Sequence, residues 1–277
     1  MGPPVDVQRL SLPAAPLVAC HTPRMEPAER MALGMVDAER KRRQNVAGAE
    51  VFEIDGLVLA FSNLPDPQLN SVVVHHGPSD ASAAMEAAER EFVQRSHPIG
   101  IDLQVGRNPG VDEAVRSMGL IRIIERPGMT LDVEAVPEAP VPHGIEIRPV
   151  ASDEDVRGLV EVGVQAFGDD PEVGMSCYGV SSRGVDGARS FIAWRGEDPV
   201  GIATGYLHEG AVGVMGVAVV PAARTLGLGS ALTVQAARAF PEGELAWLHP
   251  SDEARSMYGR LGFRPVADHE IWIRGAS

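Results

Sequence analysis

The pattern of apolar and polar positions divides the second half of the chain into short blocks of changing period. Ile145-Glu-Ile-Arg148 alternates as a strand does, and Ser152-Asp-Glu-Asp155 then resembles a capping box opening a helix that runs to about Phe167. Gly168 to Asp186 is turn-rich, with room for a second short helix. Phe191 to Arg195, Val200 to His208 and Ala211 to Val220 read as three antiparallel strands, turned at Gly196-Glu-Asp-Pro199 and Glu209-Gly210. Leu245-Ala-Trp-Leu248 reads as a short buried strand. Asp252 to Arg260 reads as a helix with acids in its first turn and arginines later, as the helix dipole favours. Leu261-Gly262-Phe263 closes that helix with a glycine cap and leads to final strands around Phe263 and Ile271-Trp-Ile273.

Between the third strand and its helix lies Val217-Ala-Val-Val-Pro-Ala-Ala-Arg224-Thr-Leu-Gly227-Leu-Gly229-Ser230. A strand ending at Pro221 and a helix beginning near Gly227 leave unpaired backbone N–H groups at a helix N-terminus, which attracts a phosphate or pyrophosphate. Glycines at 227 and 229 let an anion approach without a Cβ in the way. Two familiar phosphate loops do not fit. A P-loop needs Gly-Lys-Ser/Thr, but Gly229 is followed by Ser230-Ala231; a dinucleotide fingerprint needs a third small residue where Leu232 stands. Arg224-Thr-Leu-Gly-Leu-Gly229 instead resembles the Arg/Gln-x-x-Gly-x-Gly/Ala pyrophosphate loop of the GCN5-related N-acetyltransferases, the GNAT superfamily. Downstream, Tyr258-Gly-Arg-Leu-Gly-Phe263 is similar to that family's second signature. Ser251 departs from it, standing where the family usually has an asparagine cap.

The resemblance implies an α/β (α+β) fold with a mixed, mostly antiparallel sheet flanked by helices. It also implies an N-acyltransferase that moves an acetyl group from acetyl-CoA, its acyl-donor cosubstrate, to a primary amine of a small molecule or peptide by direct attack. On that pattern the main chain of Val217, Ala218 and Val219 pairs with the pantetheine arm. The amides of Arg224, Thr225, Leu226, Gly227, Leu228, Gly229 and Ser230 hold the pyrophosphate, with Ser251 close by. Tyr258 protonates the leaving thiolate as the general acid; the lesser alternative is a packed helix tyrosine whose hydroxyl caps a backbone group. The general base is not legible. The strand Ala211 to Val220 has no titratable side chain, and His208, Glu209 and His249 read as turn residues. A water chain is another route for the proton. Cys177 is a conceivable nucleophile, and Asp169, Asp170 and Asp186 either border an acceptor pocket or are solvated turn residues. Two alternatives stay open: a non-catalytic acyl-CoA-binding sensor or scaffold, and a GNAT-like transferase with another acyl donor.

Composition changes the picture little. A net charge of −14 disfavours nucleic acid as a partner. Cys20 and Cys177 are too few for a disulfide framework or a zinc site, which suits a reducing cytoplasm. There is neither an apolar run of membrane-spanning length nor an export signal.

At 277 residues the chain can hold two domains, and Val136-Pro-Glu-Ala-Pro-Val-Pro-His-Gly144 reads as a semi-rigid linker between them. Sliding the chain by 143 residues puts Pro78 on Pro221 and Gly119 on Gly262, since 221 − 78 and 262 − 119 both equal 143. Ser71-Val-Val-Val74 and Ile101-Asp-Leu-Gln-Val105 then overlay two strands of the second half. The chemistry does not follow. Arg224, Gly227, Gly229 and Tyr258 align with Ala81, Ala84, Glu86 and Val115. Residues 1–135 are therefore expected to form a degenerate GNAT-like domain without donor binding, 136–144 a linker, and 145–277 the acetyltransferase domain. The two are expected to pack as an intramolecular pseudo-dimer in a monomeric chain.

Overall fold

The computed structural model describes residues 25–274 except 63, 65, 68, 169 and 180–182, so Cys20 and Asp169 lie outside the described residues. In chain order the first half comprises α1 (Pro27–Arg43), β1 (Glu50–Ile54), β2 (Leu57–Phe61), β3 (Ser71–Val74), α2 (Ala81–Gln94), β4 (Gly100–Gln104), α3 (Pro109–Ser117) and β5 (Ile121–Asp132). The second half comprises β6 (Glu146–Pro149), α4 (Asp153–Phe167), α5 (Pro171–Gly174), β7 (Ala188–Arg195), β8 (Asp198–His208), β9 (Ala211–Val219), α6 (Leu228–Ala237), β10 (Leu245–Leu248), α7 (Asp252–Leu261) and β11 (Arg264–Ile273).

Local chemistry accounts for most of these boundaries. Ser152 and Asp155 close a full capping box on α4. Glu209 and Gly210 both take positive φ (+44° and +75°), the geometry that turns β8 into β9 without splaying them. Gly262 ends α7 in the left-handed region at φ +102°. The two final strands expected near Phe263 and Ile271 are one strand, β11, whose pairing with β5 is interrupted by irregularities near Val266 and Trp272.

All strands form one mixed sheet, ordered β1-β2-β3-β4-β11-β5-β10-β9-β8-β7-β6. Its pairs are antiparallel except β3 with β4 and β9 with β10. Each half lends its last strand to the other. The free edge of β10 is taken by β5 from the first half, and that of β4 by β11 from the second. The sequence predicts that each half completes its own sheet; the structure departs from this because the exchange leaves neither β4 nor β10 with an exposed edge. Two cores result. One is built from β1–β4, α2 and α3 with Trp272 of β11 packed on it; the other gathers the second half around Met129 and Val136 from before residue 145. The segment 136–144 begins packed, since Val136 is buried and its carbonyl accepts from Arg238.

The offset of 143 reappears in space. The starts of α3 and α7 (252 − 109) and of β5 and β11 (264 − 121) both differ by 143. Arg126 and His269 face each other across β5 and β11, and 269 − 126 is again 143, so the pairing is symmetric about that point.

Helix placement follows from close approaches. A Cβ on Gly201 or Gly205 of β8 would collide with Leu232 or the Ala236 carbonyl of α6. On the other face, Gly213 of β9 and Gly34 of α1 both lie against Trp247 of β10, and Gly158 of α4 against Ile192. The sheet thus has α6 on one face and α1 with α4 on the other.

Candidate active site

The site begins where two parallel strands part. β9 pairs with β10 only at Ala211, Val212 and Gly213. Beyond that a bulge, with Gly216 at φ +61°, sets two residues of β9 opposite one of β8. From Val214 to Val219, among the described residues, β9 has a strand partner on one side only. Val217, Ala218 and Val219 lie on this half-open stretch. Its outer edge can pair with an extended chain.

The loop after β9 is shaped to offer amides. A 3₁₀ turn at Pro221–Ala223 leads to Thr225 at φ +67° and Gly227 at φ +85°, and α6 starts at Leu228. A β-branched residue in the left-handed region costs on the order of 1–3 kcal/mol and persists only where surroundings impose it. The Arg224 amide is taken by the Pro221 carbonyl (3.3 Å) and that of Ala231 by Gly227 (3.1 Å). Among the described residues no backbone acceptor outside the helix takes the amides from Thr225 to Ser230. The expected cradle therefore narrows by one, since the Arg224 amide is occupied. Its side chain acts as a staple instead, donating to the carbonyls of Val219 (3.1 Å) and Ala166 (3.4 Å) and joining the loop to the end of α4. Leu228 anchors α6 in the core and can offer only its backbone, whereas Leu226 is exposed.

Tyr258, on α7, is 7 % exposed and packs edge-on against Phe263. Burial pushes its phenol up to about 12, slightly offset by a hydrogen bond with the Thr233 side chain. Tyr258 faces the Thr233 side chain, whose hydroxyl donates to the Gly229 carbonyl of the donor loop at 2.8 Å. Its phenol stays protonated at neutral pH. Ser251 occupies the N-cap of α7, but its side chain makes no capping bond, and its carbonyl accepts from Ala254 and Arg255.

On the opposite face a cavity of about 400 Å³ reaches Met215 of β9. Its walls come from both halves: Glu39, Arg42, Asp102 and Arg126 from the first, Phe167 and Cys177 from the second. Burial would raise the Glu39 carboxyl, yet the guanidiniums of Arg42 (2.5 Å) and Arg43 (3.1 Å) hold it below the usual range. Burial likewise opposes ionisation of Asp102, but a hydrogen bond from His269 and nearby positive charge hold it at about 2. The wall is thus charged and buried. The sequence offers no sign of the pocket, because α1, β4, β5 and β9, which carry most of its wall, come together only in the folded chain.

The other candidates separate clearly. His208 and Glu209 lie at the far end of β9, beyond its paired residues. Asp170 caps α5 through the Glu172 amide. Asp186 is exposed beside the end of α1, away from the cavity. His249, expected in an exposed turn, is half-buried, with its ring tilted against that of His269.

The first half blocks each of these features. Asp80 caps α2 through the Ala83 amide (3.0 Å), and Asp55 accepts from the Ser79 amide (2.9 Å) and hydroxyl. Where Val217 and Ala218 leave an open edge, the residues 143 earlier, Val74 and His75, give their carbonyls to Arg107. Carboxylates thus take the amides of Ser79 and Ala83 before and within α2, and a guanidinium takes the carbonyls at the end of β3.

A sequence model of the GNAT acetyltransferase domain family matches residues 186–265. No curated protein matches the chain. Among solved structures, a GCN5-related N-acetyltransferase from Kribbella flavida is similar with a TM-score of 0.73 at 21 % identity, over 91 % of this chain and 97 % of that one. A tandem GNAT protein from the clavulanic acid biosynthesis pathway gives 0.60 at 18 % identity, over 90 % and 94 %. A GCN5-related N-acetyltransferase from Sphaerobacter thermophilus gives 0.57 at 16 %, over 89 % and 92 %. At these identities the structural likeness is one of fold, and with the matching domain model it supports an acyltransferase activity in general. Residues 186–265 thus match the GNAT acetyltransferase domain, and the chain as a whole shares its fold with GNAT proteins.

Proposed function

We propose that this chain is an acetyl-CoA-dependent N-acyltransferase whose donor site lies in residues 145–277. We read residues 1–135, joined through 136–144, as a degenerate copy that has lost donor binding and now builds half of the acceptor pocket. One observation carries this: the uncommitted amides from Thr225 to Ser230 stand beside the open edge of β9, with the cavity on the other face at Met215. A donor seated on the amides and along Val217–Val219 presents its thioester near the parting of β9 and β10. The amine then enters from the cavity.

Acetyl-CoA supplies the activated acetyl group. The chain supplies placement and polarity. Fixing the thioester against an amine converts a bimolecular encounter into an oriented one, an effect on the order of 7–11 kcal/mol at best. Backbone N–H groups on the open edge of β9 polarise the carbonyl as the tetrahedral centre forms. Tyr258, protonated and linked through Thr233 to the loop, gives its proton to the departing sulfur.

The test is a screen of polyamines, amino acids, aminoglycosides and peptides against acetyl-CoA, with thiol release as readout. Acyl transfer to at least one amine is expected. An unreactive chain that still binds acetyl-CoA would replace the enzyme with the sensor.

A further inference from the structure

Among the described residues, the buried side-chain nitrogens that lack a hydrogen-bond partner include Nε2 of His249 and Nε2 of His269. The two rings are in contact, tilted by 46° with centroids 4.0 Å apart. Two orphaned ring nitrogens side by side are uncommon in a folded interior and call for an explanation. Behind them the line continues, since His269 Nδ1 lies 3.2 Å from Asp102 Oδ1. Asp102 is in turn part of the cavity wall. At the other end His249 lies two residues past Trp247, the last residue of β10 that pairs with β9, and the two rings are 5.7 Å apart. The row Asp102, His269, His249 thus spans the sheet from the acceptor cavity to the parting of β9 and β10. It joins both halves of the chain.

We infer that His249 is the base that takes the proton from the acceptor amine, and that His269 and Asp102 position it and lead the proton away. This rests on the acyltransferase reading above. As the amine nitrogen bonds to the thioester carbonyl carbon, the proton it sheds passes to the His249 imidazole. The C–S bond then breaks, and the sulfur takes the Tyr258 proton, which water restores. His249 returns to its neutral form by releasing its proton through His269 toward Asp102 and solvent. One water between the two Nε2 atoms would satisfy both and carry the transfer.

The electrostatics keep His249 neutral, and as a weakened base it accepts the proton once the amine is bonded to the carbonyl carbon, where the nitrogen is most acidic. Burial, then His269 and Arg126, push the His249 imidazole well below its ordinary range, with Asp102 opposing. It therefore meets the amine unprotonated at neutral pH. The charged and titratable groups facing the row are Asp102 from β4, Arg126 from β5, His269 from β11 and, toward Asp102, Glu39 from α1.

The experiment compares the unmutated chain with His249→Ala, using acetyl-CoA and whichever screened amine turns over. His249→Ala should lose about 10²- to 10⁴-fold in kcat/KM at neutral pH, while its acetyl-CoA affinity stays within about twofold. Added imidazole should restore turnover in proportion to its concentration, which no structural role would permit. Asp102→Asn should lose about tenfold and displace the acid limb of the pH–rate profile. If the alanine variant does not fold, His249→Gln, close in size and without a base, should show the same loss. Turnover of His249→Ala within threefold of the parent, or a loss that imidazole leaves unchanged, overturns the assignment while leaving the transferase intact. A parent chain inert toward every amine overturns the underlying reading, and the base with it.

Discussion

Tyr258 is where the chemistry depends on a single atom. Its hydroxyl is buried, protonated at neutral pH and bonded to Thr233. Tyr258→Phe removes that atom with little volume, at a cost of about 1 kcal/mol in stability for one lost hydrogen bond. Acetyl-CoA affinity should barely move, while kcat should fall by about 10² to 10⁴ if the phenol protonates the thiolate. The loss should shrink with donors whose leaving thiol is more acidic. Unchanged turnover in the Phe variant would remove Tyr258 from the mechanism. At this scale the sequence was informative where a residue's role follows from neighbours in the chain, as with Gly227 and Tyr258. It was silent on Asp102 and His269, which lie 167 positions apart and meet only in the folded sheet. His249 reads as a turn residue because nothing nearby in the chain announces the His269 ring packed against it.

Among the elements, α4 shows how local sequence sets both structure and pH response. Asp155 is buried, which alone would raise its carboxyl, but Arg148, the Ala151 amide and the Ser152 hydroxyl and amide hold it well below the usual carboxylate range. A carboxyl depressed on folding contributes stability that is complete above its unfolded pKa, about 3.9, and is lost as pH falls through the folded value. Asp155→Asn should therefore cost about 1.5–3 kcal/mol near pH 7. Thermal melts should show that gap narrowing as pH drops below about 4, and a gap independent of pH would contradict the ion-pair origin. α4, β7–β9, β10 and α7 were all legible from alternation and caps. Their partners were not, because a strand's period says which face is buried and nothing about which strand lies alongside. That is why the sequence expects β11 to close its own half.

For the molecule as a whole, the exchange of β5 and β11 makes the halves interdependent. The first half alone would leave the edge of β4 open, and the second half alone that of β10, each beside apolar core. Expressed separately, residues 1–135 and 145–277 should aggregate, and together they should restore a soluble complex. Two well-behaved separate halves would show that the exchange is dispensable. Because the covalent link makes this pairing intramolecular, the full chain should sediment as a monomer.

The most direct measurement is calorimetric titration of the full chain with acetyl-CoA. One equivalent per chain is expected, because the amides of the second half are open while Asp80, Asp55 and Arg107 fill the corresponding places in the first. Gly227→Glu, where a Cβ meets nothing within 4 Å but φ is +85°, should strain the loop by about 1–2 kcal/mol and abolish binding by setting a carboxylate against the pyrophosphate, whereas Gly227→Ala, equally strained but uncharged, should keep measurable binding. Two equivalents, no binding at all, or unchanged binding by Gly227→Glu would contradict the assignment of the donor site.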